Sequence, residues 1–141
     1  MKKYLITLFA ATALVLTGCA GPSPVTPGET NTVAEDTTKD LTGDWGYSSD
    51  TFSFEAEVDN GEITIYILLD EGTSKGLYWT GTFLDKAEDG ETIVSQADVD
   101  ALASSLYGSG DEEKKFEFRD GKLGYQFTIM GVTTDVQLEK K

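Results

Sequence analysis

A chain of 141 residues, 39% hydrophobic and 26% charged, has room for one domain plus accessory segments and is too apolar to be wholly disordered. Its net charge of −14 and pI near 4.1 exclude a nucleic-acid binder, whose affinity rests on clustered Lys and Arg. The same balance excludes a domain lying flat on an anionic membrane surface and predicts a monomer.

Residues 1–18 read as a signal peptide. Lys2 and Lys3 form a positive start, and residues 4–16 are an unbroken run without charge, shorter than the roughly 20 apolar residues a spanning helix needs. The run ends in Leu16-Thr17-Gly18-Cys19. This tetrapeptide resembles the lipobox of bacterial lipoproteins, in which an aliphatic residue and two small ones precede a Cys. The resemblance implies cleavage before Cys19, a diacylglycerol thioether on its sulfur and an N-acyl chain. No other cofactor is expected. It also implies anchoring to the cell membrane on the extracytoplasmic face; Ala20 stands where Asp would signal inner-membrane retention, which leaves the outer membrane open for a Gram-negative host. Cys19 is the single cysteine, so no intramolecular disulfide can form. Two or three acyl chains hold firmly where one is marginal. Loss of Lys2 and Lys3 leaves nine basic residues against 25 acidic ones, a mature charge of −16.

Residues 19–40, after the lipidated Cys, form a linker. They contain all three prolines, Pro22, Pro24 and Pro27, and only Val25 and Val33 as large apolar side chains. Such a stretch cannot bury enough surface to offset its ordering entropy, so a disordered tether on the order of 25 Å is expected.

Residues 41–141 carry a period of two, the signature of strands with one buried face. Residues 44–48 supply a first strand. In 51–59, Phe52, Phe54, Ala56 and Val58 alternate with polar neighbours. Asn60-Gly61 follows, the strongest short hairpin signal. Ile63, Ile65, Ile67 and Leu69 alternate next, so a two-residue loop pairs Val58 with Ile63, Ala56 with Ile65 and Phe54 with Ile67. Residues 76–84 form another strand, Asp89-Gly90 a turn and 92–94 a short strand. Residues 97–106 form a helix of about three turns with Val99, Leu102 and Leu106 on one face. The hairpin pattern then repeats: Asp120-Gly121 pairs Phe118 with Leu123 and Phe116 with Tyr125. A last hairpin turns at Met130-Gly131 or Gly131-Val132, with Val132, Thr134, Val136 and Leu138 alternating after it. The predicted fold is all-β: an antiparallel meander of seven or eight strands closing into a small barrel or sandwich, with one short helix.

Four aromatic residues are candidate ligand contacts: Trp45, Tyr66, Tyr78 and Trp79. Gly43-Asp44-Trp45 resembles the Gly-x-Trp of lipocalin-type barrels, where the Trp closes one end; the resemblance implies a small apolar ligand in the barrel mouth. In residues 77–83, Leu77, Trp79 and Phe83 share one strand face and Tyr78, Thr80 and Thr82 the other, so Tyr78 beside Tyr66 or Tyr47 would make an exposed aromatic patch for a protein or glycan. This run, with the lipobox and the last hairpin, also resembles small, uncharacterised lipoproteins of actinobacteria and their phages, which implies a role in the cell envelope or in excluding superinfecting phage.

No metal site is expected. Carboxylates suit Ca²⁺, but a loop template laid from Asp85 fails at Ala87 and Gln96, where ligands belong. The chain has no His, which removes Ser-His-Asp and Cys-His arrangements and imidazole acid–base chemistry. There is no Gly-rich phosphate loop. A paired-carboxylate hydrolase would need two acids held across a cleft, and no spacing indicates one. The expectation is a non-enzymatic surface domain, anchored by lipid, that binds a protein or envelope component; the alternative is a carrier with a ligand cavity.

Overall fold

The computed structural model describes residues 36–141. The signal peptide, Cys19 and residues 20–35 of the linker lie outside the described residues. Every strand partner and every core side chain described below falls within 36–141, a compact unit with a core of its own, so this segment has what it needs to fold alone.

The elements follow the alternation. They are β1 (Lys39–Asp40), β2 (Gly43–Ser48), β3 (Ser53–Asp59), β4 (Glu62–Leu69), a 3₁₀ turn (Asp70–Gly72), β5 (Ser74–Thr82), β6 (Lys86–Ala87), β7 (Glu91–Gln96), α1 (Val99–Ala103), β8 (Glu113–Arg119), β9 (Lys122–Ile129) and β10 (Val132–Lys140). Eight strands make one antiparallel sheet in the order β5-β4-β3-β2-β10-β9-β8-β7, and β1 pairs with β6 in a separate ribbon. The sheet curls until its two edges meet at a single bridge, Gly81 to Ala97. Glycine is required there: a Cβ on residue 81 would lie 2.2 Å from the Gln96 carbonyl oxygen. The result is an all-β sheet nearly closed into a barrel.

The Asn60-Gly61 hairpin has the expected register, Val58 with Ile63, Ala56 with Ile65 and Phe54 with Ile67. The last hairpin turns at Met130-Gly131, with Val132 opposite Ile129. At Asp120-Gly121, Phe118 does face Leu123, but the β8–β9 ladder ends at Glu117 and Gly124. Phe116 and Tyr125 therefore meet as tilted rings 5.5 Å apart rather than as a ladder pair. The helix is also shorter than expected. It spans only Val99–Ala103 and buries Leu102 alone, leaving Val99 and Leu106 exposed. Beyond it the chain is drawn across the edge of β5, where the Ser105 hydroxyl donates to the Leu77 carbonyl and the Ser109 amide to that of Tyr78. These bonds satisfy edge carbonyls the meander leaves unpaired, and they outweigh continuation of a weak helix.

Tyr78 departs furthest from the simple alternation. Ile65 faces Trp79 while Tyr66 faces Leu77, so Tyr78 is the extra residue of a bulge. A bulge shifts the phase of the strand, and here Tyr78 and Trp79 are both buried. The side chains of Trp45, Trp79, Phe54 and Phe116 fill the interior, each worth about 1.5–3 kcal/mol or more on burial.

The two ends of the barrel are built differently. At one end the turns are stitched together. The Phe83 amide donates to Gly61 O (2.7 Å), the Leu41 amide to Asp85 O (2.8 Å) and the Gly90 amide to Phe118 O (2.7 Å). The Asp85 and Asp89 carboxylates accept the amides of Gly61 and Asp120. Leu41, fully buried, plugs this end, and the β1–β6 ribbon lies over it. Lys39 and Asp40, which composition places in the tether, are thus a strand, held by the residues that follow them.

At the other end the strands splay. β2 pairs with β10 only at Trp45–Lys140 and Gly46–Glu139, and β8 with β9 only over three residue pairs near the Asp120-Gly121 turn. This open end carries the Ser49–Phe52 turn, the 3₁₀ turn, the segment 97–112 and the Met130-Gly131 turn.

Candidate functional site

The open half of the barrel is filled by rings delivered from four strands and from the Ser49–Phe52 turn. Phe54 sits at the centre, 4.9 Å from Phe127, 6.0 Å from Tyr78, 6.1 Å from Tyr125 and 6.3 Å from Tyr47. Phe52, from the turn above, closes over Phe127 at 5.1 Å in an edge-on contact. Such geometries each add about 0.5–1.5 kcal/mol to the area they bury. The Tyr125 hydroxyl is buried among these rings without a hydrogen-bond partner. Burial, and then the neighbouring Tyr78 and Tyr47 hydroxyls, push its ionisation far above the ordinary range, so it stays a neutral phenol.

Lys114 is a buried cation on the inward row of β8. Its ammonium lies 5.1 Å from the ring centroids of both Tyr78 and Trp79 and 3.0 Å from the Asp111 carboxylate. Ring faces and one carboxylate replace the water the amine gives up. Asp111 is held below the usual carboxylate range first by the Ser109 hydroxyl and then by Lys114. The group thus locks the 97–112 segment to the barrel wall.

Around the mouth, apolar side chains point into solvent. Met130 is 98% exposed, Leu106 89% and Val132 63%, with Tyr107 and Ile129 partly exposed. An open groove of about 1070 Å³ runs from Tyr107 and Ile129 to β2–β4, lined by Tyr47, Phe52 and Leu69 and on one side by Lys140 and Lys141. A second groove of about 410 Å³, under Leu106 and Met130, reaches Tyr78 and Phe127. The four connections on this side hold seven acidic residues, Asp50, Asp70, Glu71, Asp98, Asp100, Asp111 and Glu112, and no basic one; Asp111 is paired with Lys114, and Asp98 lies along the β5 wall, its amide donating to the Thr80 carbonyl. Among the described residues no three acidic side chains converge as metal ligands.

The four sequence candidates are not gathered at this mouth. Trp45 is buried toward the stitched end, its Nε1 donating to the Leu41 carbonyl at 2.8 Å while the Lys140 ammonium sits 5.8 Å over its ring. Trp79 is fully buried, its Nε1 donating to Ser95 Oγ at 3.0 Å. Tyr78 faces inward because of the bulge and does not form an exposed patch with Tyr66. Tyr66 lies on the outer surface, half-buried, beneath Lys75 at 6.0 Å. The groove beside Trp45 is lined by Asp44, Glu55, Glu57, Lys75 and Lys141, a charged exterior rather than an apolar cavity.

Met130, Leu106 and the splayed ladders were missed from sequence. One signal was available: Met130 occupies the turn position that Asn60 and Asp120 hold in the other two hairpins. Compared with protein-family models, curated proteins and solved structures, the chain has no match in any of the three.

Proposed function

We propose that the protein is a lipid-anchored, extracytoplasmic binding module without catalytic activity, whose open barrel end engages a protein or other component of the cell envelope. Exclusion of superinfecting phage is one concrete form of that role. The observation that carries this reading is the contrast between the barrel's ends. One is sealed by backbone hydrogen bonds; the other exposes Met130 and Leu106 beside a groove, with Val132 exposed next to the Met130-Gly131 turn. Exposed apolar side chains grouped on a charged domain mark contact surfaces. Location rests on the basic pair, apolar run and Leu16-Thr17-Gly18-Cys19 of the sequence. Among the described residues no helix is long and apolar enough to cross a membrane. The described chain begins at the sealed end, with β1.

A carrier holding its ligand inside the barrel has less support, because Trp79, Phe54, Phe116, Tyr125 and Phe127 occupy that space.

Two experiments test the proposal. Cells labelled with radioactive palmitate should incorporate it into the full chain and not into Cys19→Ala, which should leave the membrane fraction. An unlabelled wild-type chain ends the anchoring claim. The 36–141 domain should retain an envelope component that a Leu106→Asp/Met130→Asp variant releases, while charge changes at the sealed end leave retention unaltered.

A further inference from the structure

Three two-residue turns cap the hairpins of this barrel, and all three share one backbone conformation. Their φ values are 51° and 79° at Asn60-Gly61, 52° and 74° at Asp120-Gly121, and 50° and 79° at Met130-Gly131. Both residues are left-handed. Asn and Asp tolerate that conformation because their short polar side chains bond locally; a long apolar side chain gains nothing from it. Met130 therefore sits in a strained backbone with its whole thioether chain in water, contributing nothing to the core. Strain held at an exposed position is a pointer to function.

Resting on the proposed binding role, we infer that the open end docks a basic, amphipathic segment of a partner protein, with Met130 as the apolar knob. Leu106 and Val132 supply the surrounding apolar surface, and the groove beneath Met130 and Leu106 receives side chains of the partner. Methionine suits this task, being flexible and polarisable enough to adapt to a partner's contour. Charge sets the partner's sign. Apart from Asp111, which Lys114 pairs, the loop carboxylates on this side have no salt-bridge partner among the described residues and the loops hold no cation, so a segment rich in Lys or Arg is attracted and an acidic one repelled. The same carboxylates oppose insertion of the mouth into an anionic lipid surface, where basic residues are needed. They also oppose a second copy of this end, which would bring like charges together.

The test uses the 36–141 domain and three synthetic peptides of equal length. One is a Lys/Leu sequence with amphipathic helical spacing, one its Glu/Leu counterpart, and one a Lys/Ser sequence of the same charge. The Lys/Leu peptide should bind at least about tenfold more tightly than either control, and its affinity should fall with added salt. Met130→Asn should weaken binding about tenfold while raising the thermal midpoint by about 4 °C, because the favoured turn residue replaces the strained one. Opposite signs for binding and stability separate a docking residue from a structural one. The inference is overturned by unchanged binding in Met130→Asn, by Glu/Leu or Lys/Ser binding as well as Lys/Leu, or by a domain dimer that Met130→Asn dissolves. If the peptides fail while the rim variants still release the envelope component, the binding role stands and only its partner chemistry is wrong.

Discussion

The stitched end and the splayed end are made from the same eight strands, yet they spend their polar groups differently. At the stitched end, turn amides and carbonyls bond to one another and to Asp85 and Asp89, and Leu41 fills the space beneath. At the splayed end the ladders between β2 and β10 and between β8 and β9 stop early, aromatic rings plug the gap, and apolar tips are left in water. The barrel thus closes one end with backbone hydrogen bonds and the other with packed rings, and the apolar tips left in water there are what the proposed binding role rests on. Low-stability, locally strained elements are where recognition surfaces tend to be drawn from.

The sharpest way to break this comparison is to delete matched apolar groups at the two ends. Trp45→Ala removes a fully buried indole and its bond to Leu41 and should cost about 3–5 kcal/mol in urea unfolding of the 36–141 domain. Leu106→Ala at the mouth should stay within about 0.5 kcal/mol. Equal losses would mean the ends do not differ in the way described.

Next in size is the seam. Gly81→Ala forces a Cβ against the Gln96 carbonyl and should cost about 1–3 kcal/mol, with faster hydrogen exchange along β5 and β7. An unchanged midpoint would show that the two sheet edges meet more loosely.

The smallest effect concerns Glu55, on the outer face of β3. Hydrogen bonds from Lys141 (2.5 Å) and Lys75 hold its carboxyl at about 2, below its ordinary value of 4.5. Because the folded value is the lower one, this stabilisation is present above pH 4.5 and is lost as pH falls toward 2. As a partly exposed surface network it is worth no more than about 1 kcal/mol. Glu55→Gln should lose up to about 1 kcal/mol at neutral pH and nothing near pH 2, which flattens that part of the acid-unfolding curve. A variant that unfolds along the wild-type acid limb would remove Lys141 as a clasp between the segment after β10 and β3.

Much of the fold was legible in the residues. Alternation in 51–59 and 62–69 placed Phe54, Ala56, Val58, Ile63, Ile65 and Ile67 inside, and Asn60-Gly61 set their register, because a two-residue loop admits only one pairing. The candidate site was far less legible. Trp45 and Trp79 stood out because large aromatics draw attention, yet both are core residues whose indole N–H groups are satisfied internally. Tyr78 looked exposed because a strict period of two assigns it to the face opposite Trp79. A bulge opposite Ile65 and Tyr66 cancels that assignment, and no local pattern announces it.

By itself, then, the sequence determined which side chains alternate, that hairpins turn at Asn60-Gly61 and Asp120-Gly121, and what sign of charge the surface carries. These are local properties, set by neighbours within a few residues. Only the tertiary structure decided that Gly46 meets Glu139 and Gly81 meets Ala97, that β8 leaves β9 after three pairs, and that one end seals while the other opens. Those outcomes depend on how the twist of eight strands accumulates around a barrel, on one bulge, and on ring volumes meeting in the interior. None of them is a property of any single stretch of chain.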